Sequence, residues 1–311
     1  MTSPPVDTSG EVRARAAELR ARREPFVAAT VVRAERPTSA KPGDSALVLA
    51  DGTVVGFVGG ECAQSSVRAQ AVAVLAGAEP VLLRITPSPD EAAGPVQPGT
   101  VIVHNPCLSG GTLEIFLEPS LPAPLLLVHG EAPIAVALGG LAEHLGYALS
   151  DWSAGAVPSD TSAVVVASHG RDEPAVLRAA ISARVPYIGL VASRRRGDAV
   201  LAELELADDD RARIHTPAGL DIGARTPGEV ALSILAEIVA LRPRPVHRGA
   251  AAGGAGVTPV SAEAAVDPVC GMAVAAVDAS LHVDHAGVRY WFCGSGCKEA
   301  FSARPGAFVG S

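Results

Sequence analysis

Thiols beside paired glycines are the groups in this chain best suited to chemistry. Cys62 follows Gly59-Gly60-Glu61, and Asn105-Pro106 leads into Cys107-Leu108-Ser109-Gly110-Gly111. A glycine pair lets backbone approach a bound group closely. A cysteine becomes a soft ligand or nucleophile when positive charge or a helix N-terminus lowers its pKa. The plainer reading, two small buried residues near tight turns, fits the usual habit of free cysteine. The other three cysteines crowd the C-terminus, in Asp267-Pro268-Val269-Cys270-Gly271-Met272 and Tyr290-Trp291-Phe292-Cys293-Gly294-Ser295-Gly296-Cys297. Cys293 and Cys297 are four apart, so one helical turn would put both on one face, with Cys270 arriving from a separate loop. Three thiolates suit a soft metal. His285, or else His282, is the candidate fourth ligand, and cysteines packed in a small apolar core are the alternative.

A second group of candidates lies where strands should run into helices. Val128-His129-Gly130-Glu131-Ala132-Pro133 falls where a dinucleotide fingerprint would, but the glycine triplet is absent. Glu131 puts negative charge where a pyrophosphate would rest, and Pro133 removes an amide donor. Asp151, about 20 residues on, has the usual position of a ribose ligand. Ser168-His169-Gly170-Arg171 and Ser193-Arg194-Arg195-Arg196 follow later strands and could face an anion. His215 and Gly219-Leu220-Asp221-Ile222-Gly223 could close the same crevice. For the arginines, a solvated helix start is the competing account.

The elements that must position these groups divide the chain in an α/β pattern. Residues 1–24 read as an N-terminal arm with a helix from Glu11 to Arg23, stopped by Pro25. Residues 25–122 read as a mixed, β-rich domain. Its strands are Phe26 to Ala34, a hairpin about Asp51-Gly52, Val81 to Ile85, Val101 to His104 and Leu113 to Leu117. A helix from Glu61 to Ala76 would carry Cys62 in its first turn, where the dipole favours a thiolate. Residues 123–243 alternate strands and helices, which predicts a Rossmann-like parallel sheet. Its strands are Leu125 to Val128, Tyr147 to Trp152, Ala163 to Val166 and Tyr187 to Val191, and its helices include Pro133 to Leu145 and Glu173 to Ala183. Thr226-Pro227-Gly228-Glu229 announces a last helix by a capping box. Residues 244–265 have the composition of a flexible linker, and residues 266–311 are a unit too small to build much core without a metal or a partner.

Composition narrows the function classes. The net charge is -8, and the one dense basic run is Arg194-Arg195-Arg196, so no nucleic-acid footprint is expected. Met1 to Gly10 lacks a basic start followed by an apolar core, and no apolar run reaches membrane-spanning length. A cytoplasmic protein with reduced thiols and no membrane span is the expectation. Symmetric pairs dominate soluble assemblies, so a homodimer is the default assembly.

Residues 25 to 243 resemble the xanthine dehydrogenase accessory and CO dehydrogenase maturation family (XdhC/CoxI). The likeness rests on the Gly-Gly-x-Cys at Cys62, the stretch from Asn105 to Pro119, Gly189 to Arg196, and Gly219-Leu220-Asp221-Ile222-Gly223-Ala224-Arg225-Thr226-Pro227-Gly228-Glu229. Residues 266 to 311 resemble a YHS domain, a small module of metal-binding type, through Asp267 to Met272, Tyr290 to Cys293, Cys297, Phe301 and Pro305. The resemblance implies a maturation chaperone that binds molybdenum cofactor and helps its sulfuration. The cofactor would then pass to the apo large subunit of a molybdenum hydroxylase of CO dehydrogenase or xanthine dehydrogenase type. It further implies a sulfur donor of cysteine desulfurase type. Carried over by motif, Cys62 and Cys107, with Gly59, Gly60, Ser109, Gly110 and Gly111, would meet the molybdenum end. Gly130, Asp151, His169, Ser193, Arg194, Arg195 and Asp221 would hold the phosphate or dinucleotide part of molybdopterin, or of its cytosine dinucleotide. The turn at Gly130 departs from the family's usual Gly-x-Gly-His type. On Cys270, Cys293, Cys297 and His285, zinc as a staple and copper carried to the client stand side by side. An NAD-dependent oxidoreductase, with His104 or His129 as base, is one competing class. A soft-metal trafficking or sensor protein acting through its tail is another.

Overall fold

A computed structural model describes residues 8–89, 97–106, 111–152, 155–204, 206–242 and 264–309. The chain forms two compact units, Met1–Pro122 with Pro245–Ser311, and Ala123–Arg244. The first unit opens with α1 (Thr8–Ala21), which starts three residues and stops two residues earlier than the sequence suggests. It continues through β1 (Phe26–Ala34), β2 (Ser45–Leu49), β3 (Val54–Gly56), α2 (Glu61–Gly77), β4 (Val81–Thr86), β5 (Thr100–His104) and β6 (Leu113–Ser120). The strands form one mixed sheet in the order β3-β2-β1-β6-β4-β5, antiparallel except for the β4–β5 pair. The two-residue period of β1 decides what each face meets. Val27, Ala29 and Val31 point to the core covered by Val67, Ala71 and Val74 of α2. Phe26 points to the other face, under Val12, Ala16 and Leu19 of α1.

The second unit runs β7 (Leu125–His129), α3 (Pro133–His144), β8 (Ala148–Ser150), β9 (Thr161–Val166), α4 (Glu173–Ser182), β10 (Tyr187–Leu190), α5 (Arg194–Glu203), α6 (Asp208–Arg211), β11 (Ile214–His215) and α7 (Pro227–Leu241). Its five strands are all parallel, in the order β11-β10-β9-β7-β8. The central strands read as unbroken apolar runs because both faces are covered. Leu127, Val164 and Val166 pack on α4 and α5, while Leu126, Ala163 and Val165 pack on α3 and α7. The strand expected at Tyr147 to Trp152 is shorter, at Ala148–Ser150. The capping box of α7 is complete. Glu229 N donates to Thr226 Oγ1 (3.3 Å), and Thr226 N donates to Glu229 Oε2 (2.9 Å).

Residues 264–309 complete the first unit with β12 (Ala264–Val266), β13 (Ala273–Ala275), β14 (Leu281–His285), β15 (Val288–Phe292), α8 (Ser295–Ala303) and a 3-10 turn at Pro305–Ala307. Phe301 is fully buried against Phe292, Tyr290 and Phe308, which gives this segment a small aromatic core. A sulfur-rich face packs instead on the first turn of α2. Among the described residues, no helix is long and apolar enough to cross a membrane.

Candidate functional site

In the first unit the site begins where α2 begins. Gly59 turns the chain at φ +133° and Gly60 is the N-cap, so Cys62 falls in the first helical turn, half-buried. Unsatisfied amides there favour negative charge. Cys62 lines a cleft of about 560 Å³ with Gly60, Thr38, Asn105, Gly111 and Leu113. Asn105 ties the neighbouring loop to the same turn: its Nδ2 donates to Ser66 Oγ (3.4 Å), and Ser66 Oγ donates to the Cys62 carbonyl (3.3 Å). Gly111 is required by close packing, because a Cβ there would lie 2.2 Å from the Pro37 carbonyl oxygen and 2.5 Å from that of Glu35. Asn105 and Gly111 therefore bring both ends of the Cys107 segment to the cleft that Cys62 lines. Cys107, Ser109 and Gly110 themselves lie outside the described residues.

In the second unit the candidates separate into two places. Gly130 and Asp151 line an open cleft of about 710 Å³ beside α3, together with Glu131. Gly130 is needed there by packing between strand ends, since a Cβ would meet the Ala167 carbonyl oxygen at 2.3 Å. His169, Ser193, Arg194 and Asp221 line a separate cleft of about 690 Å³ at the carboxyl ends of the strands. Arg195 is exposed and is not among its lining residues. Parallel sheets bind ligands at such strand ends, and Ser193, as the N-cap of α5, adds that helix's positive end.

Two carboxylates that the sequence reading did not single out, Glu173 buried and Glu237 half-buried, support this second cleft. Glu173, 1% exposed, accepts from Gly170 N (2.8 Å) and Ser168 Oγ (3.3 Å) and pairs with Arg196. It thereby fixes the His169 turn and commits one arginine of the basic run to structure. Glu237 accepts from Tyr187 Oη (2.6 Å) and Gly219 N (2.8 Å) and lies 3.4 Å from His215 Nδ1. Burial, then the hydrogen bond to Glu237, pushes the Tyr187 hydroxyl well above its usual range. Together these groups hold the loop carrying Asp221. His129, a candidate base, has its Nε2 3.0 Å from the Arg171 carbonyl oxygen.

The C-terminal segment gathers its three thiols. Cys293 Sγ lies 3.6 Å from both Cys270 Sγ and Cys297 Sγ. Zinc–sulfur bonds of about 2.3 Å set tetrahedral edges of about 3.8 Å, so the spacing is close to that of a metal's ligands. The fourth group in reach is not His285 but Asp267, whose carboxylate lies with the three sulfurs within 4.8 Å. His285 ends β14 with its ring edge-on to Phe301, and His282 stands against Trp291. Neither ring belongs to the group formed by Asp267 and the three sulfurs. Asp267 is fully buried and accepts from Val269 N (2.9 Å) and Cys293 N (2.8 Å). The Asp-Pro-Val order is an Asx-turn signal that could have revealed it. The Cys293 hydrogen bond draws the Cys270 pKa down to about 7. That same bond, with burial and Asp267, raises Cys293, and burial pushes Cys297 up to about 12. Cys270 is thus the readiest thiolate.

Comparison with known proteins extends this picture. The model of the XdhC and CoxI family matches residues 19–86, and that of the XdhC Rossmann domain matches residues 126–238. Residues 264–309 lie outside both. An uncharacterized Escherichia coli protein, YqeB, is 28% identical over 73% of this chain and 45% of its own length. A Bacillus subtilis protein described as a probable xanthine dehydrogenase subunit is 26% identical over 50% of this chain and 54% of its own. The chain spans about half the length of these curated relatives. A crystal structure described as a xanthine dehydrogenase, from Bacillus halodurans, shares 17% identity at a TM-score of 0.35 and covers 75% of this chain and 95% of that one.

Proposed function

The chain belongs to the XdhC and CoxI family, and from that membership we propose that it is an accessory protein in the maturation of a molybdenum hydroxylase. Its task is to hold molybdenum cofactor during sulfuration and to pass it to the apo large subunit. A sulfur donor of cysteine desulfurase type is its other partner. The observation that carries the reading is the cleft of the first unit, where Cys62 stands at a helix N-terminus and both ends of the Cys107 segment converge. The donor set suits the group, because thiolates bind thiophilic metals and the glycines leave the rim open to backbone approach. When bound, the cofactor supplies a redox-active molybdenum held by a dithiolene. The chain's own residues bind and orient it: Cys62 and Cys107 face the metal end, and Asn105 ties the chain just before the Cys107 segment to the turn that carries Cys62. The cleft of the second unit suits a phosphate. Ser193 and Arg194 present amides and charge, while Arg196, which also lines the cleft, is paired with Glu173.

The test is co-purification with the cofactor, reading molybdenum by mass spectrometry and pterin by the fluorescence of its oxidised form. Cys62→Ala and Cys107→Ala should each lower retained molybdenum roughly tenfold or more with the fold intact. Full retention by both variants would overturn the site assignment, and lack of pterin in the wild type would overturn the function.

A further inference from the structure

Two helix N-termini in the first unit meet at a concentration of sulfur. α2 carries Glu61 and Cys62 in its first turn, and α8 carries Ser295 and Cys297 in its own. Glu61 Oε2 accepts from Ser295 N (2.8 Å) and Ser295 Oγ (2.7 Å), so a side chain of one helix caps the other. Gly294 lies between them, where a Cβ would stand 3.3 Å from Glu61 Oε2 and 3.8 Å from Cys62 Sγ. Cys62 accordingly packs in one cluster with Cys270, Met272, Cys293 and Cys297. The chain has five cysteines and two methionines, so five of its seven sulfur atoms are in this cluster. Packing needs no such concentration, whereas a thiophilic metal does.

The tail alone supplies three corners of a tetrahedron. Asp267 is the nearest oxygen donor, but its two carboxylate oxygens hold the backbone amides that position Cys270 and Cys293. The remaining thiol packed against the cluster is Cys62, which is not one of the four groups that lie within 4.8 Å of one another. We propose that the C-terminal segment binds one thiophilic cation, of the zinc(II) or copper(I) class, through Cys270, Cys293 and Cys297, and that Cys62 closes in as the fourth sulfur. Metal loading then withdraws Cys62 from the cleft that it lines. The coordinating thiols release their protons to solvent and no electrons move. The two helix N-termini offset the excess negative charge of four thiolates around one cation. Cys62 is thus shared between a metal centre and a ligand cleft, and occupancy of one governs the other.

Thiol alkylation of the full-length wild-type chain, read peptide by peptide by mass spectrometry, tests this with one equivalent of zinc(II), or of copper(I) under reductant. One bound ion should slow iodoacetamide at Cys62 roughly tenfold or more, together with the three tail cysteines. In Cys293→Ala that protection of Cys62 should vanish. With cobalt(II) as a spectroscopic probe, the thiolate-to-metal charge-transfer band should lose about a quarter of its intensity in Cys62→Ala, as four thiolates become three. Retention of no ion, or unchanged Cys62 reactivity beside protected tail cysteines, would overturn the proposal. So would protection of Cys62 that persists in Cys293→Ala. Molybdenum plays no part in this readout, so the cofactor function stands or falls separately.

Discussion

Asp267 shows how one side chain can organise several others. It is fully buried, and both its oxygens accept backbone amides, one beside Cys270 and one on Cys293 itself. The sulfurs it gathers are unequal: Cys270 is drawn down to about 7, Cys293 is raised, and Cys297 is pushed up to about 12. Between these values the metal-free tail holds roughly one thiolate and two thiols, so on binding an ion the three tail sulfurs together release about two protons near pH 8 and about three below pH 7, beside any proton that Cys62 gives up on closing. Calorimetric titration with zinc(II) in buffers of different ionisation enthalpy should show that rise, and affinity should fall more steeply as pH drops below 7. A proton count that does not change with pH would contradict this assignment. The three tail cysteines were legible as a group from their crowding, but not the geometry that joins them: α8 begins at Ser295, so Cys293 precedes the helix and the turn expected to align it with Cys297 is not what brings the two together. The carboxylate was not legible. An aspartate serving backbone amides looks the same in sequence as one serving a turn on the surface.

At the scale of elements, α7 was the most legible because its start is written in local chemistry. Threonine at the N-cap and glutamate three residues on satisfy each other's amides, and proline at the first helical position has none to satisfy, so no tertiary contact is needed. Thr226→Ala should destabilise the second unit by about 1 kcal/mol, seen as a lower melting midpoint in thermal denaturation followed by circular dichroism. An unchanged midpoint would mean that the cap is redundant with packing. The hairpin at Asp51-Gly52 and the apolar runs of β7, β9 and β10 were equally readable, through turn chemistry and burial on both faces. The strand at β8 was overextended because Tyr147 and Trp152, strand formers by type, serve the helix-side core and the loop beyond. The pairs Glu173–Arg196 and Tyr187–Glu237 join residues 23 and 50 apart. No local pattern encodes them, since each partner alone reads as an ordinary surface or core residue.

For the whole molecule, the tether expected at residues 244–265 lies, but for its last two residues, outside the described residues, and the tail beyond it, residues 264–309, packs as part of the first unit against α2. The aromatic core under Phe301 is the anchor of that segment. Phe301→Ala should cost about 3–5 kcal/mol, and hydrogen exchange should show lost protection both in α8 and in the first turn of α2. Loss confined to α8 would mean that the two parts do not act together. That first turn is also gripped from the side of the cleft, because Asn105 reaches Ser66, which reaches the Cys62 carbonyl. One turn of helix is therefore the fulcrum between two levers, Asn105 at the end of β5 on one arm and the α8 cap on the other. Anything that tugs the first arm is felt at Glu61, with no moving part between them larger than a few peptide planes.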